Sequence, residues 1–320
     1  MSSASSGSVL LAMSVPSFWH CGRTIRKYSL FTILCCLPAA AMAIWNWGLP
    51  ALRVMSLSVA ACVVVEALCE KAMGRQIEVD DFTAVYAGLI FAFLLPADAP
   101  WWLVILGAII CITLGKMAFG GLGANPVSTP LVGWAVLAVS FPIFMDPNAM
   151  QLGTDFIDPL VRLKFFGAAS ADSIPLLDLL MGKQISGLGA GQVLGLFAGG
   201  SFLCATGTVR WQISLGFFVG VAALAAFFHM SDPVHNASAF FHLCTGSVML
   251  GGFFMATEMG TTPLRPLPMF LYGLTGGLLV MVIRKYGVWI DGVPFAILLA
   301  NMLTPYLDML RPRPFGGSRP

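Results

Sequence analysis

Three ionisable side chains, Glu66, Lys116 and His242, fall inside or at the edge of otherwise apolar stretches of this 320-residue chain. An ionisable group at such a position is costly, which makes each a candidate for function. Each also has a plainer reading. Glu66 precedes Glu70 by one helical turn, with Lys71 following, so the acids could form a stacked edge near water. Lys116 closes an apolar run just before a glycine cluster, where it could snorkel to the surface or contact an anion or cofactor. His242 opens another run and could be a hydrogen-bonded interfacial histidine. No His, Cys and carboxylate set has metal-ligand spacing, and no Ser–His–Asp arrangement is legible.

The glycine cluster itself, "FGGLGANPVSTP" from Phe119 to Pro130, is not a phosphate loop, because it has no Lys-Ser/Thr pair and no preceding strand. Two readings stay open. It is a helix-ending turn with glycine as the cap, or it is non-helical backbone held near membrane depth, which survives only when buried in protein or lining a cavity. In the second case Gly120, Gly121 and Gly123 let a flat ring approach the chain, and Asn125 and Lys116 supply polar contacts. Two further stretches look short or broken: "VYAGLIFAFLLP", stopped by Pro96 and Pro100, and "TGSVMLGGFFMATE", interrupted by glycines and ending at Glu258.

The elements that position these groups follow from composition. Hydrophobic residues make up 58% of the chain and charged residues 10%, with a mean hydropathy of +0.86. Soluble domains carry about 25% charged residues, so lipid must be the solvent for most of this surface. Ten apolar runs approach the roughly 20 residues needed to cross a bilayer: 29–47, 51–69, 82–96, 101–119, 128–145, 186–207, 213–229, 238–257, 266–284 and 290–308. The expected fold is therefore an all-α polytopic membrane protein with about ten transmembrane helices. The eight cysteines contain no C-x-x-C pair and read as small packing residues.

A polar stretch, 146–185, divides the spans into five and five. This gives an N-terminal segment 1–28, a first repeat 29–145, an extracytoplasmic loop 146–185, a second repeat 186–310 and a tail 311–320. An even span count puts both termini on one side. Lys and Arg number eleven on that side against six on the other, which favours cytoplasmic termini, although Arg284 and Lys285 fit poorly. A shift of 163 residues lays "AGLIFAFLLPADAP" on "LGGFFMATEMGTTP" and "LVGWAVLAVSFP" on "PFAILLANMLTP", matching Pro100 with Pro263 and Pro142 with Pro305. Five-helix halves related in this way would be inverted repeats.

"GKMAFGGLGANP", "FHLCTGSVMLGGFFMATE" and "GVPFAILLANMLTPYLD", with "PLLDLLMG" before the sixth span, closely resemble RnfD, the D-type membrane subunit of the Rnf electron transport complex. They resemble the B-type subunit of the sodium-pumping NADH:quinone reductase more distantly. The resemblance covers about residues 20–310. It implies a ten-helix subunit of two inverted repeats in a bacterial inner-membrane complex. That complex couples electron flow between ferredoxin and NAD to sodium or proton movement, with other membrane and peripheral subunits as partners and no nucleic acid. It also implies flavin: FMN bonded covalently to a threonine of the outer loop, and in some members a second, non-covalent FMN or riboflavin.

The chain departs from that family at the loop. In "TDFIDPLVRLKFFG" the modified threonine is matched by Asp158, which has no hydroxyl to esterify, and a Gly-Ala pair is matched by Phe156-Ile157. Covalent FMN is not expected there; Ser170 and Ser173 in "GAASADSIPLL" are weaker substitutes. "NPVSTP" also differs from the family's asparagine-bearing run. Competing functions are a stand-alone solute channel, which inverted five-helix halves can also build, and a purely structural subunit.

Overall fold

The computed structural model describes residues 24–75, 79–150 and 156–310. The expected terminal segments lie largely outside those residues, as do Cys21, Arg23, Thr154, Arg311, Arg313 and Arg319.

The first half contains α1 (Ile25–Trp47), α2 (Leu49–Ala72), α3 (Thr83–Leu94), α4 (Trp101–Gly115) and α5 (Thr129–Ser140). The Thr24 hydroxyl caps α1 by accepting the Lys27 N–H, and Gly48 at φ 67° turns the chain into α2. Proline stands in the first turn of α2 and of α5, where a missing N–H costs nothing. The connecting region carries five short helices, α6 (Pro142–Met145), α7 (Pro147–Met150), α8 (Pro159–Phe166), α9 (Ala168–Asp172) and α10 (Leu176–Leu180). The second half contains α11 (Val193–Ala205), α12 (Trp211–Ser231), α13 (Ala239–Leu243), α14 (Val248–Leu250), α15 (Pro266–Tyr286) and α16 (Val293–Asp308).

Every expected span has a counterpart, with two corrections. The sixth begins at Val193 rather than residue 186, because Gly187, Gly189 and Gly191 form a loop instead of a helix turn. That loop packs on the end of α3. Leu188 N–H donates to the Leu95 carbonyl at 2.8 Å, and Gly189 and Ala190 donate to the Phe93 carbonyl at 3.1 Å. A Cβ at Gly187 would lie 2.6 Å from that same oxygen, so only glycine fits. The eighth span is not one helix: α13 breaks at Cys244–Ser247, and α14 runs into a π turn, Gly251–Met255. Among the described residues, five helices are long and apolar enough to cross a membrane, and four more are apolar but shorter. At 1.5 Å per residue the 12-residue α3 reaches about 18 Å, against a hydrocarbon core of about 30 Å.

Four elements of the first half correspond in order to four of the second. Shifting the starts of α2, α3, α4 and α5 (49, 83, 101 and 129) by 163 residues gives 212, 246, 264 and 292. The observed starts of α12, α14, α15 and α16 are 211, 248, 266 and 293. Helices in corresponding positions of the two halves also touch: α1 packs on α11, and α5 on α16. At the α1–α11 crossing, Gly195 and Gly199 lie against the backbone of Ala39 and Cys35. Gly216, Gly220, Gly273 and Gly277 do the same between α12 and α15. Small residues at four-residue spacing allow backbones to approach closely where lipid supplies no hydrophobic drive.

Candidate functional site

At one end of the bundle, Lys116 follows the last residue of α4 and is buried. Its ammonium donates to Glu66 Oε1 in a short contact and to Thr83 Oγ1 at 2.6 Å, with Asp81 Oδ2 at 3.9 Å. Glu66 is 1% exposed, and its second oxygen has no hydrogen-bond partner. Neither plain expectation holds. Glu66 is not on a watery edge, and Lys116 does not snorkel; each compensates the other's charge inside the protein. Phe82, at the start of α3, has φ 58°, an uncommon value for a non-glycine residue that locates strain beside this cluster.

The glycine run follows Lys116 after one 3-10 turn, Met117–Phe119. Gly120, Gly121 and Gly123 have φ of 109°, 109° and 82°, and the Gly120 carbonyl accepts from Arg75 at 2.8 Å. Asn125 is buried and donates to the Val127 carbonyl at 3.1 Å. The run ends a helix, as the first open reading has it, and its backbone from Gly120 on is non-helical and touches the other half. Its partner is the broken span of the other half. A Cβ at Gly260 would lie 3.3 Å from both Gly123 Cα and Asn125 Oδ1. Glu258 accepts a short hydrogen bond from the Ser128 hydroxyl and a 3.4 Å bond from the Thr129 N–H. Tyr86 of α3 donates to the Phe254 carbonyl in the π turn at 2.9 Å. The two interrupted segments thus interlock and satisfy each other's freed backbone groups. The buried Glu66–Lys116 pair and Glu258 both lie beside these segments.

For a flat ring, the fit is to backbone rather than to side chains. Gly120 and Gly123 are exposed, and a Cβ at Gly123 would meet nothing within 4 Å. Lys116 and Asn125, however, are already engaged within the protein.

The opposite end holds a cavity of about 510 Å³ that the sequence did not reveal. Trp134, Trp289 and Phe295 form an aromatic cluster beside it, with ring centroids 5.0–6.4 Å apart. Asp158 and Asp291 line it. Asp158 caps α8: one carboxylate oxygen accepts the N–H groups of Leu160 and Val161 at 2.9 and 3.0 Å, and the other accepts from Asn148 at 2.9 Å. Burial pushes this carboxyl above the ordinary range, against those hydrogen bonds and with help from the Asp291 charge. The Asp-Pro pair before a short amphipathic run was the available signal for this cap. With its oxygens committed and no hydroxyl, Asp158 does not fit a phosphoester. Ser170 and Ser173 donate to nearby carbonyls and line neither this cavity nor the second one at the same end.

Arg284, which fitted the charge bias poorly, is buried. It donates to the carbonyls of His242 and Thr245 at 3.0 and 2.9 Å and to Asp291 at 3.0 Å. Asp291 also accepts from the Ser247 N–H and hydroxyl at 2.7 and 2.5 Å, so this network pins the break between α13 and α14. His242 is buried with Phe241 rather than exposed at a surface.

A family model described as "NQR2, RnfD, RnfE family" matches residues 12–316. The chain is similar to the D-type subunit of the Na(+)-translocating ferredoxin:NAD(+) oxidoreductase complex of Acetobacterium woodii, with 34% identity over 279 residues and 86% of each chain covered. It is also similar to the D-type subunit of the ion-translocating oxidoreductase complex of Halorhodospira halophila, at 31% with 90% of each chain covered. The protein of that same name from Escherichia coli O17:K52:H18 is 30% identical, with 93% of this chain and 96% of that one covered.

Proposed function

The chain belongs to the NQR2, RnfD, RnfE family, and from that premise we propose that it is the multi-pass D-type subunit of an ion-translocating electron-transport complex. The complex couples electron transfer between ferredoxin and NAD to Na⁺ or H⁺ movement. The subunit works only with the other membrane and peripheral subunits, and it is not catalytic alone. The observation that supports an ion-coupling role most directly is the interlock of the two broken segments. It places Glu66, Lys116 and Glu258 around backbone that is not committed to a continuous helix. Carboxylates beside interrupted helices at the junction of inverted repeats are the arrangement by which transporters hold and release cations.

In this reading the protein resides in the bacterial inner membrane with both termini, and the glycine loop, on the cytoplasmic side. Because Lys116 and Arg284 are internally paired, they do not weigh on orientation. The positive bias then rests on Arg23, Arg26 and Lys27 at the start of α1 and on Arg311, Arg313 and Arg319 after α16.

A non-covalent FMN or riboflavin on the exposed faces of Gly120 and Gly123 is part of the proposal, supported by the exposure of both glycines and the open space at Gly123. Such a group would supply a one-electron carrier. The chain's own contribution would be a bare backbone face, with Arg75 fixing the Gly120 carbonyl. Covalent FMN at Asp158 is excluded by the chemistry of a carboxylate. Denaturing gels of the purified subunit will therefore show no flavin fluorescence, while solvent extraction of the native complex releases flavin attributable to this chain. A fluorescent band would refute the reading of Asp158.

The test of the function is to tag this chain, purify its partners and assay ion uptake by membrane vesicles driven by reduced ferredoxin and NAD. Uptake that vanishes when the chain is deleted supports the proposal. A stand-alone solute channel instead predicts uptake by the isolated chain without any electron donor.

A further inference from the structure

A second cavity, of about 450 Å³, opens at the end of the bundle that carries Asp158, and Leu160 and Ile290 line both cavities there. Its walls carry charge of one sign. Lys164 comes from α8, and Arg284 and Lys285 come from the last turn of α15, with His235 and His242 beside them. No Asp or Glu is among its lining residues. Two nearby acids are already used: Asp291 pairs with Arg284 at 3.0 Å, and Asp232 with His235 at 2.8 Å. Among the described residues no carboxylate pairs with either lysine. Lys164 donates to the Gly287 carbonyl at 2.6 Å, and Lys285 sits 4.0 Å above the Phe228 ring.

Two polar atoms on this wall are orphaned. His242 is 5% exposed, and its Nδ1 has no hydrogen-bond partner. Arg284 is 6% exposed, and its Nε has none either. Buried polar groups are paired in folded proteins unless a ligand, water or ion completes them. Part of the wall is apolar and faces outward: Phe165, Phe166 and Val234 are 70%, 74% and 71% exposed. Cations at the end of membrane helices, set beside apolar surface that meets lipid, match an amphiphile with an anionic head.

We infer that this cavity binds the phosphate headgroup of an acidic phospholipid, with Lys164 and Lys285 as its charge partners and the phenylalanines against its acyl chains. Both lysines are exposed, so replacing them leaves the fold intact. The complex is reconstituted into phosphatidylcholine vesicles containing phosphatidylglycerol as a minor component. It is then re-extracted in mild detergent, and its retained lipid is measured by mass spectrometry. Wild type retains phosphatidylglycerol beyond its share of the vesicle. A Lys164→Gln/Lys285→Gln variant loses that excess about thirtyfold, from two near-surface charges, whereas Lys164→Arg/Lys285→Arg keeps it. Equal retention by wild type and the glutamine variant overturns the inference. Displacement of the lipid by inorganic phosphate alone overturns the lipid assignment in favour of a free-anion site.

Discussion

The pair Lys116–Glu66 shows what a single residue's sequence context can and cannot reveal. Spacing on its own helix tied Glu66 to Glu70, but its real partner is 50 residues away at the end of α4. No local pattern encodes that contact. Removing one member of a buried pair leaves an uncompensated charge and costs about 3–5 kcal/mol, whereas removing both costs far less. Lys116→Met should therefore lower the thermal stability of the detergent-solubilised complex sharply, and Lys116→Met/Glu66→Gln should recover most of the loss. Equal melting of the single and double variants would contradict the pairing. Asp158 supports a second prediction at this scale. Its carboxyl is raised by burial, so its ionisation opposes the folded loop. That contribution to stability is complete below the ordinary carboxylate pKa of about 3.9 and is lost as pH rises through the folded value. Amide exchange across Pro159–Phe166 should quicken beyond its intrinsic rise as pH increases through the acidic range. Asp158→Asn, which keeps a capping oxygen, should abolish the excess.

Among the elements, the long apolar spans were the legible part, because about 20 consecutive lipid-compatible residues have few other uses. The shortness of α3 was also readable, from Pro96 and Pro100. The interruption of the eighth span was visible as glycines, but its mechanism was not. It depends on Arg284 and Asp291 reaching over from α15 and its following turn to hold the backbone open. The glycine loop before α11 was misread as helix because glycine is common in membrane helices and hydropathy does not register a close backbone approach. Glycine spacing does predict crossings. A Cβ at Gly199 would fall on the Cys35 carbonyl, so Gly199→Val should destabilise the α1–α11 contact by about 1–3 kcal/mol. Phe197→Leu, on the 52%-exposed lipid face, should stay within about 0.5 kcal/mol. Thermal inactivation of the two variants in one detergent separates these outcomes.

For the whole molecule, one offset of 163 residues relates four helix starts of the first half to four of the second, and this much was present in the sequence as aligned prolines. What the offset could not convey is that the breaks in the two halves meet, with Ser128 and Thr129 of one half gripping Glu258 of the other. The tryptophan-walled cavity was equally hidden, since Trp134 and Trp289 come from opposite halves and meet only in the assembled bundle. The proposed coupling role places Glu258 where relative movement of the halves would make or break its bonds. The most direct measurement is ion uptake by vesicles carrying the complete complex with Glu258→Gln, assayed beside ferredoxin–NAD electron transfer in the same preparation. Coupling through Glu258 predicts electron transfer retained and ion uptake reduced at least about tenfold, equivalent to about 1.4 kcal/mol on the coupling step. Uptake equal to wild type at the same electron-transfer rate would contradict it.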